Sequence, residues 1–511
     1  MLRKLIRILF NRNTTVILML LFQIAFLVLT ILFLSQNYLS VYLGLIVLNI
    51  ILVIYISNTS ESPEYKLPWI IAMLIFPLFA GLGYLLVKAD IGHKKFEENY
   101  ARRVQETKKY LPQDSHTMQQ LHELNASHAN LSKYLLNYAS YPVYRNYYSE
   151  FFPIGEEMFE AMKKEIQKAK HYIFLEFFII DKGTMWEELL EILKEKASQG
   201  IDVRIMYDGF GTEFIMPMKY FANLEKNYHI QCKVFNHFKP FLTSSQNNRD
   251  HRKILVIDGH TAFTGGINIA DEYVNRIVRF GHWKDGGMLC RGETAWSFVV
   301  MFLQMWNLSD IENEDLEYYK PQEIYPSNYD GFIQPYGDSP MDCEHIGKSV
   351  YIDIINNAKD YVYIMTPYLI LDHEMITALG LAAKKGVDVR ILTPHIPDKW
   401  YVYSIAWSYY KELLEQHVRI FEYESGFVHA KNFSSDNNIG VVGTINLDYR
   451  SLYLHFECAT ILYNSQTVKD IRKDFEASLE KSIEISLEDC KKRSLPKRIM
   501  SSILRIFAPL L

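Results

Sequence analysis

The sequence predicts an α/β catalytic part made by duplication of one domain, preceded by N-terminal transmembrane helices. Three observations predict it. A 48-residue stretch between Arg12 and Glu61 holds no charged residue and no histidine. A strand–helix–strand pattern occurs twice, and a His-Lys-Asp motif recurs at matching places in the two copies. With 511 residues the chain is long enough for about two to four domains. Hydrophobic residues at 49% and charged residues at 22% exclude a disordered chain. A formal net charge of −5 gives no overall basic excess, so no nucleic-acid partner is expected. The five cysteines (Cys232, Cys290, Cys343, Cys458 and Cys490) are scattered, with no C-x-x-C pair. They form neither a disulfide framework nor a zinc-ligand set.

Residues 1–95 read as a membrane anchor. The uncharged run splits at Ser35, Gln36 and Asn37 into VILMLLFQIAFLVLTILFL and YLSVYLGLIVLNIILVIYI. Each is long enough to span a bilayer, which takes about 20 apolar residues. A cleaved signal peptide has a shorter apolar core. A third segment, LPWIIAMLIFPLFAGLGYLLV, is interrupted by Pro77, Gly81 and Gly83, which suit a bent or interfacial helix as well as a span. Arg3, Lys4, Arg7 and Arg12 precede the first segment, and Lys88, Lys94, Lys95, Arg102 and Arg103 follow the third. Positive flanks favour the cytoplasm. Both can be there only if the crossings are even in number, so two crossings are expected, with the catalytic part cytoplasmic. Residues 96–149 read as a linker.

From residue 150 the pattern is globular. KEIQKAKHYIFLEFFII (164–180) is a helix end followed by a buried strand, and DIINNAKDYVYIMTPYLI (353–370) is its counterpart. The helix EELLEILKEKASQG matches EMITALGLAAKKG, each closing on Gly after basic residues. The strands IDVRIMYD and VDVRILTP follow. A separation of about 186–189 residues is too long for a solenoid and suits duplication of one α/β domain. The halves are bounded at 150–325 and 326–486.

The order is kept through HRKILVIDGHTAFTGGINIADEY and HAKNFSSDNNIGVVGTINLDYRS. Both read H-x-K-x4-D: His251, Lys253 and Asp258, then His429, Lys431 and Asp436. Gly266 or Gly443 follows near a turn, and Asn268 or Asn446 lies seventeen residues after each His. With 16 His in the chain, chance supplies about 0.07 such matches; two in register are far rarer. If His-x-Lys starts a strand, both side chains share a face about 7 Å apart. An imidazole, an ammonium and an amide are what phosphodiester chemistry needs: a nucleophile or acid, a cation and a neutral donor. Two copies facing across a pseudo-two-fold axis supply one imidazole to attack phosphorus and one to protonate the departing oxygen.

These residues resemble the phospholipase D superfamily over about residues 150–485. Within it the contexts YDGFGT, GGINIADEY, FGHWKD and GTINLDYRSLYLHFE resemble the bacterial cardiolipin synthases. The resemblance implies two phospholipase D-like domains, each a mixed sheet flanked by helices, with one active site at their junction and no metal or nucleotide cofactor. No H-E-x-x-H, P-loop or dinucleotide fingerprint occurs in the chain. It implies phosphatidyl transfer between two phosphatidylglycerols through a phosphatidyl-histidine, with phospholipase D hydrolysis or an inactive lipid-binding scaffold as alternatives. It also implies that a carboxylate downstream of each motif orients a histidine, namely Asp285 and Glu457, without saying which serves which. His251 is then the nucleophile and His429 the acid. Asp258 and Asp436 are expected to brace the motif, and Glu176 and Asp208 are weaker candidates at strand ends. The strand NFSSD departs from the apolar ILVID of the first motif, so greater exposure is expected there.

Two further features bear on lipid. The tail from 487 to 511 is basic, with Lys491, Lys492, Arg493, Lys497, Arg498 and Arg505, and its apolar residues fall on one helical stripe. It reads as a surface helix for anionic membrane lipid. Trp400, Tyr403, Trp407 and Tyr410 recur at helical spacing, a pattern of core packing more often than of a lipid gate.

Overall fold

The computed structural model describes Ala25 and residues 36–59, 62–77, 79–88, 91–145, 147–217, 219–237, 244–309, 314–321, 330–342 and 344–510. Apart from Ala25, the first expected span, residues 16–34, lies outside the described residues, as does Cys343. By packing, the chain forms two units: 1–95 with 238–247 and 506–511, and 96–237 with 248–505.

In the first unit the helices Gln36–Ser57, Pro63–Ile75 and Ala80–Lys88 meet through buried Leu52, Ile56, Met73 and Tyr84. The third apolar segment is therefore two helices, broken around Pro77, whose carbonyl accepts from Asn49 Nδ2. Gly81 packs closely on this side chain: a Cβ there would lie 2.1 Å from Asn49 Oδ1, so Asn49 would have to shift. Leu39, Leu43, Val47, Ile50, Ile51 and Ile54 of the first helix are exposed. Among the described residues no helix is long and apolar enough to cross a membrane.

The second unit holds the duplication. Strands of its first half are β1 Tyr147–Phe152, β2 Tyr172–Phe177, β3 Asp202–Asp208, β4 Gln231–Phe235, β5 Arg249–Asp250, β6 Lys253–Ile257, β7 Thr261–Gly265, β8 His282–Lys284 and β9 Gly287–Gly292. Those of the second are β10 Phe332–Asp338, β11 Tyr361–Met365, β12 Asp388–Pro394, β13 Arg419–Tyr423, β14 Gly426–Val428, β15 Asn432–Ser435, β16 Ile439–Gly443, β17 His455–Tyr463 and β18 Ser482–Ile485. One sheet has the order β1-β9-β7-β6-β2-β3-β4, and the other begins β10-β17-β16-β15-β11-β12-β13. The orders correspond strand for strand. In each, three parallel strands continue into antiparallel ones. The expected helices are Thr184–Ser198 and His373–Lys384, which lead to Gly200 and Gly386 at φ +84° and +97°, the left-handed turn where Gly has no steric penalty.

Two expectations need correction. NFSSD is not exposed: Asn432, Phe433, Ser434 and Ser435 are all buried. Their polarity is satisfied locally, Ser434 Oγ bonding with Tyr361 Oη and Ser435 Oγ donating to the Tyr361 carbonyl. The stretch read as a linker is folded into helices Ser115–Leu124 and Ala126–Tyr134, continuing from Ile91–Thr107. Within the second unit Phe96 packs edge-on against Phe235 and Phe456, and Leu121, Leu131 and Leu135 are buried. Its apolar residues cover the sheet, which composition alone did not reveal. The aromatic helix Trp400–Glu415 is core packing: Tyr410 is buried and, with Tyr403, donates to Glu422, while Trp400 stays exposed.

Candidate active site

The halves exchange strands. β5 leaves its own sheet and pairs with β17, and β8 pairs with β14. Each exchange seats one motif histidine. His251 N donates to the Phe456 carbonyl at 2.9 Å, and His429 N donates to the Lys284 carbonyl at 2.7 Å. The residues that follow those carbonyls are Glu457 and Asp285. His251 Nδ1 lies 2.9 Å from both carboxylate oxygens of Glu457, and His429 Nδ1 lies 2.6 Å from Asp285 Oδ2. The carboxylate of each half thus holds the imidazole of the other, the pairing that sequence left open. With Nδ1 engaged, Nε2 of each ring is the atom left for chemistry.

Lys253 Nζ donates to the His251 carbonyl at 2.7 Å, and Lys431 Nζ donates to the His429 carbonyl and lies 2.8 Å from His429 Nδ1. Both histidines and both lysines are buried. The motif histidines do not stand inside the strands expected to carry them: β6 starts at Lys253 and β15 at Asn432, so each His sits in the short link before its strand. Burial carries His251 well below the usual imidazole range, assisted by the positive Lys253. Burial and Lys431 bring His429 down to about 4. Burial lowers Lys253 to about 8 and Lys431 to about 7. The two carboxyls differ. Burial pushes Glu457 well above the usual range, whereas at Asp285 burial is outweighed by the charges of His429 and Lys431 and by hydrogen bonds, so this carboxyl sits below it. Gly266 packs directly on Asp285, where a Cβ would come within 2.0 Å of Oδ1.

Asp258 and Asp436 are not among the imidazoles. Each lies at the far end of its motif strand at φ +50°. Asp258 accepts from the N–H groups of Lys170, His171 and Tyr172, and Asp436 from those of Lys359, Asp360 and Tyr361. These are matching clasps on the turns before β2 and β11. Asn268 accepts from Ile179 N and donates to Tyr273 Oη at 2.7 Å, and the Tyr273 ring meets His429 edge-on. Asn446 is buried beside Asp448, with Oδ1 lacking a hydrogen-bond partner. Glu176 and Asp208 are not solvated loop acids. Glu176 is fully buried beside Asp250, with Arg252 Nη1 at 3.9 Å. Asp208 accepts from Phe210 N, Gly211 N and Asp250 N, fixing the start of β5.

Sequence reasoning missed three residues here. Arg252, the x of the first motif, donates from Nε to the Glu457 carbonyl and lies over the Phe456 ring. Trp283 flanks His429 at 5.4 Å between ring centres. His455 lies 5.4 Å from the His251 ring, with Nδ1 3.7 Å from Glu457 Oε1. Strand alternation in LHFE would have put His455 and Glu457 on one face. Among the described residues, His251, His455 and Glu457 are the group spaced to hold a metal ion, their donor atoms lying within 4.8 Å of one another. The set matches a zinc-type donor list, but the lysines beside it disfavour a cation and suit an anion. The arrangement can hold a phosphodiester between two imidazoles and two ammonium groups.

Comparison with known proteins agrees with this geometry. A family model described as "Cardiolipin synthase, PLD-like domain" matches residues 162–278 and 351–479, and one described as "Phospholipase_D-nuclease N-terminal" matches 47–88. An uncharacterized protein of Streptococcus mutans is 44% identical over 461 residues, covering 90% of this chain and 99% of its own. A cardiolipin synthase of Halalkalibacterium halodurans is 32% identical over 476 residues, covering 92% and 93%. The crystal structure of a phosphatidylserine synthase from Haemophilus influenzae superposes with a TM-score of 0.54 at 14% identity, over 71% of this chain and 93% of that one. That likeness concerns the fold.

Proposed function

We propose the following function for a chain that belongs to the cardiolipin synthase family of phospholipase D-like proteins. It is a phosphatidyltransferase that makes cardiolipin. The donor and the acceptor are both phosphatidylglycerol. His251 Nε2 attacks the donor phosphorus, the phosphorus–oxygen bond to the headgroup glycerol breaks, and His429 gives that oxygen a proton. His429 then takes the proton from the headgroup hydroxyl of a second phosphatidylglycerol, whose oxygen displaces His251. One phosphodiester replaces another, so the exchange requires no nucleotide. Lys253 and Lys431 hold the phosphoryl oxygens.

The observation that carries this reading is the crossed pair His251–Glu457 and His429–Asp285, which leaves two Nε2 atoms for one phosphorus. The unequal carboxyls support the division of labour. A nucleophile must start neutral, and burial holds His251 well below the usual imidazole range, with the Glu457 carboxyl beside it pushed up by its own burial. An acid must gain a proton during the cycle, and Asp285 pulls His429 toward the protonated form, against the burial and the Lys431 charge that bring it down to about 4.

Residues 1–95 anchor the chain with two crossings, one of the apolar segments being bent or interfacial. The exposed apolar side chains of Gln36–Ser57 and the break near Pro77 support this. The helix Leu495–Ile506 exposes Leu495, Ile499, Met500 and Ile503, together with Lys497 and Arg498, which suits an anionic leaflet. Lipid analysis of protein reconstituted with phosphatidylglycerol tests the reading. Cardiolipin and glycerol are expected; phosphatidate in their place would make the enzyme a hydrolase.

A further inference from the structure

Both motif histidines lie at one edge of their sheets. Lys253 pairs with Phe177, the last residue of β2, and Asn432 with Met365, the last residue of β11. The imidazoles just before those residues therefore stand off the C-terminal ends of the parallel strands, the edge where the loops after β3 and β12 also emerge. β3 and β12 are counterparts, and the duplication carries an apolar pair past the end of each. Phe210 and Ile396 stand two residues beyond the strands, and Phe214 and Trp400 six beyond. All four are exposed, Trp400 at 64%. A stray exposed apolar side chain is ordinary. The same two places in both halves, on the edge that holds the imidazoles, call for a reason.

A third segment joins them. Ile277 and Val278 are exposed, Val278 at 79%, in the turn before β8. Gly281, which ends that turn, packs on Ile396: a Cβ there would lie 3.1 Å from Ile396 Cδ1. These groups stand close to the chemistry. Gly211 packs on the Phe178 carbonyl, and the Phe178 ring meets His251 edge-on at 5.1 Å. Ile396 N donates to the Gly426 carbonyl, and Phe427, the next residue, stacks on His429 at 5.9 Å. Charges at this edge are met within the protein, Lys399 by Asp398 and Arg279 by Glu272. What the edge offers a partner is apolar contact.

We propose that Phe210, Phe214, Ile277, Val278, Ile396 and Trp400 form an apolar rim that enters the interfacial layer of a phospholipid bilayer and brings the leaflet to the catalytic edge. The proposal rests on the transferase reading above, in which donor, acceptor and product all carry acyl chains. Only a headgroup phosphate has to reach the two Nε2 atoms. Drawing a whole lipid out to them would expose its chains to water, whereas a rim seated in the leaflet lets the chains stay in hydrocarbon. Trp at the tip of one side suits the interfacial layer. The rim is also continuous with the amphipathic helix Leu495–Ile506 placed on the leaflet above. That helix lies along Trp400–Glu415, with Arg505 donating to Glu412 at 2.8 Å and the preceding Arg493 over the Trp407 ring.

The test uses the full-length protein in vesicles of phosphatidylglycerol diluted in phosphatidylcholine. Phe210→Cys, Ile396→Cys and Trp400→Cys, each in a cysteine-free background, carry an environment-sensitive dye. Leu381→Cys is the control, exposed in the helix that leads into the start of β12 at the opposite edge. Doxyl-labelled lipids should quench the three rim dyes about threefold more than the control, and aqueous iodide should do the reverse. Phe210→Ser and the double variant Ile396→Ser with Trp400→Ser, checked by thermal melt, are then assayed on two substrates. Each should lose about tenfold or more in cardiolipin formation from long-chain phosphatidylglycerol in bilayers, yet stay within about twofold of the parent on dihexanoyl phosphatidylglycerol dispersed as monomers. Equal loss on both substrates overturns the rim, as does iodide quenching there equal to that at Leu381. Cross-linking of Trp400→Cys between molecules, with no quenching by lipid, makes this edge a contact between copies and overturns it too. Should a serine variant fail to fold, the quenching decides alone. If the parent makes phosphatidate and no cardiolipin, the transferase reading fails, and the quenching still decides whether the rim enters the bilayer.

Discussion

Replacing Asp285 with Ala removes a buried carboxylate 2.6 Å from His429 Nδ1 while leaving the nucleophile's own pair in place. A hydrogen bond to a charged group is worth about 1.5–3 kcal/mol. At about 1.36 kcal/mol per decade, kcat on phosphatidylglycerol should fall about 10- to 160-fold. If that loss is a loss of acid catalysis, it should depend on the leaving group. A phosphatidyl donor with a nitrophenol leaving group departs as the phenolate and needs no proton. On that donor Asp285→Ala should lie within about threefold of the parent in the first step. Glu457→Ala, which loosens the nucleophile, should keep its full loss on both donors. Release of nitrophenol, followed by stopped flow with reconstituted protein, reports the first step alone, and thermal melts confirm that each variant is folded. Rescue of Glu457→Ala in place of Asp285→Ala would exchange the roles of the histidines. Rescue of neither would refute the acid–base reading of the pair.

His251→Ala and His429→Ala should each abolish net cardiolipin synthesis, and phosphatidyl-enzyme formed from radiolabelled donor should map to the peptide holding His251; a label on His429 reverses the order. Lys431 and Lys253 carry their charge below about 7 and about 8, so donor binding should be strongest at lower pH and weaken as pH rises through that window. Lys431→Arg should flatten the lower step in a KM profile from about pH 6 to pH 9, and a parent KM that is flat across the window contradicts the lysine role. Asp258→Ala removes the acceptor of the buried Tyr172 N–H and places Ala at φ +50°. It should cost about 1–3 kcal/mol or more in denaturant melts, with kcat per folded molecule retained; an unchanged melt with lost kcat would return Asp258 to the chemistry. Single cysteines at Ser115 and Ser327 in a cysteine-free background should resist a membrane-impermeant reagent until cells are lysed, and strong labelling of intact cells rejects a cytoplasmic catalytic part.

The duplicated domain was legible because each half repeats a local pattern: an apolar run, an amphipathic helix, a Gly stop and an apolar run. The motif was legible because its spacing is fixed by one strand and one turn, with Asp258 and Asp436 closing the far end. The crossed pairing was not. His251 and Glu457 are 206 residues apart, and nothing local in β5, two residues long, announces that it joins the other half's sheet. Burial of NFSSD was hidden for a related reason, since its serines are satisfied by Tyr361, whose position depends on the neighbouring strand. His455 could have been found from alternation with Glu457.

The exchanged strands also bear on the timing of activity during synthesis of the chain. The ribosome delivers the first half complete with His251, Lys253 and Asp285, but β5 has no partner until β17 has emerged, and β8 none until β14 has. A nascent chain engaged with the membrane is thus inert toward the lipids around it, however well its first sheet has folded. The same dependence ties catalysis to the seating of one half against the other. Heat or denaturant that parts the halves should silence it while both sheets still retain their far-ultraviolet signal, so loss of turnover should precede loss of secondary structure in a melt.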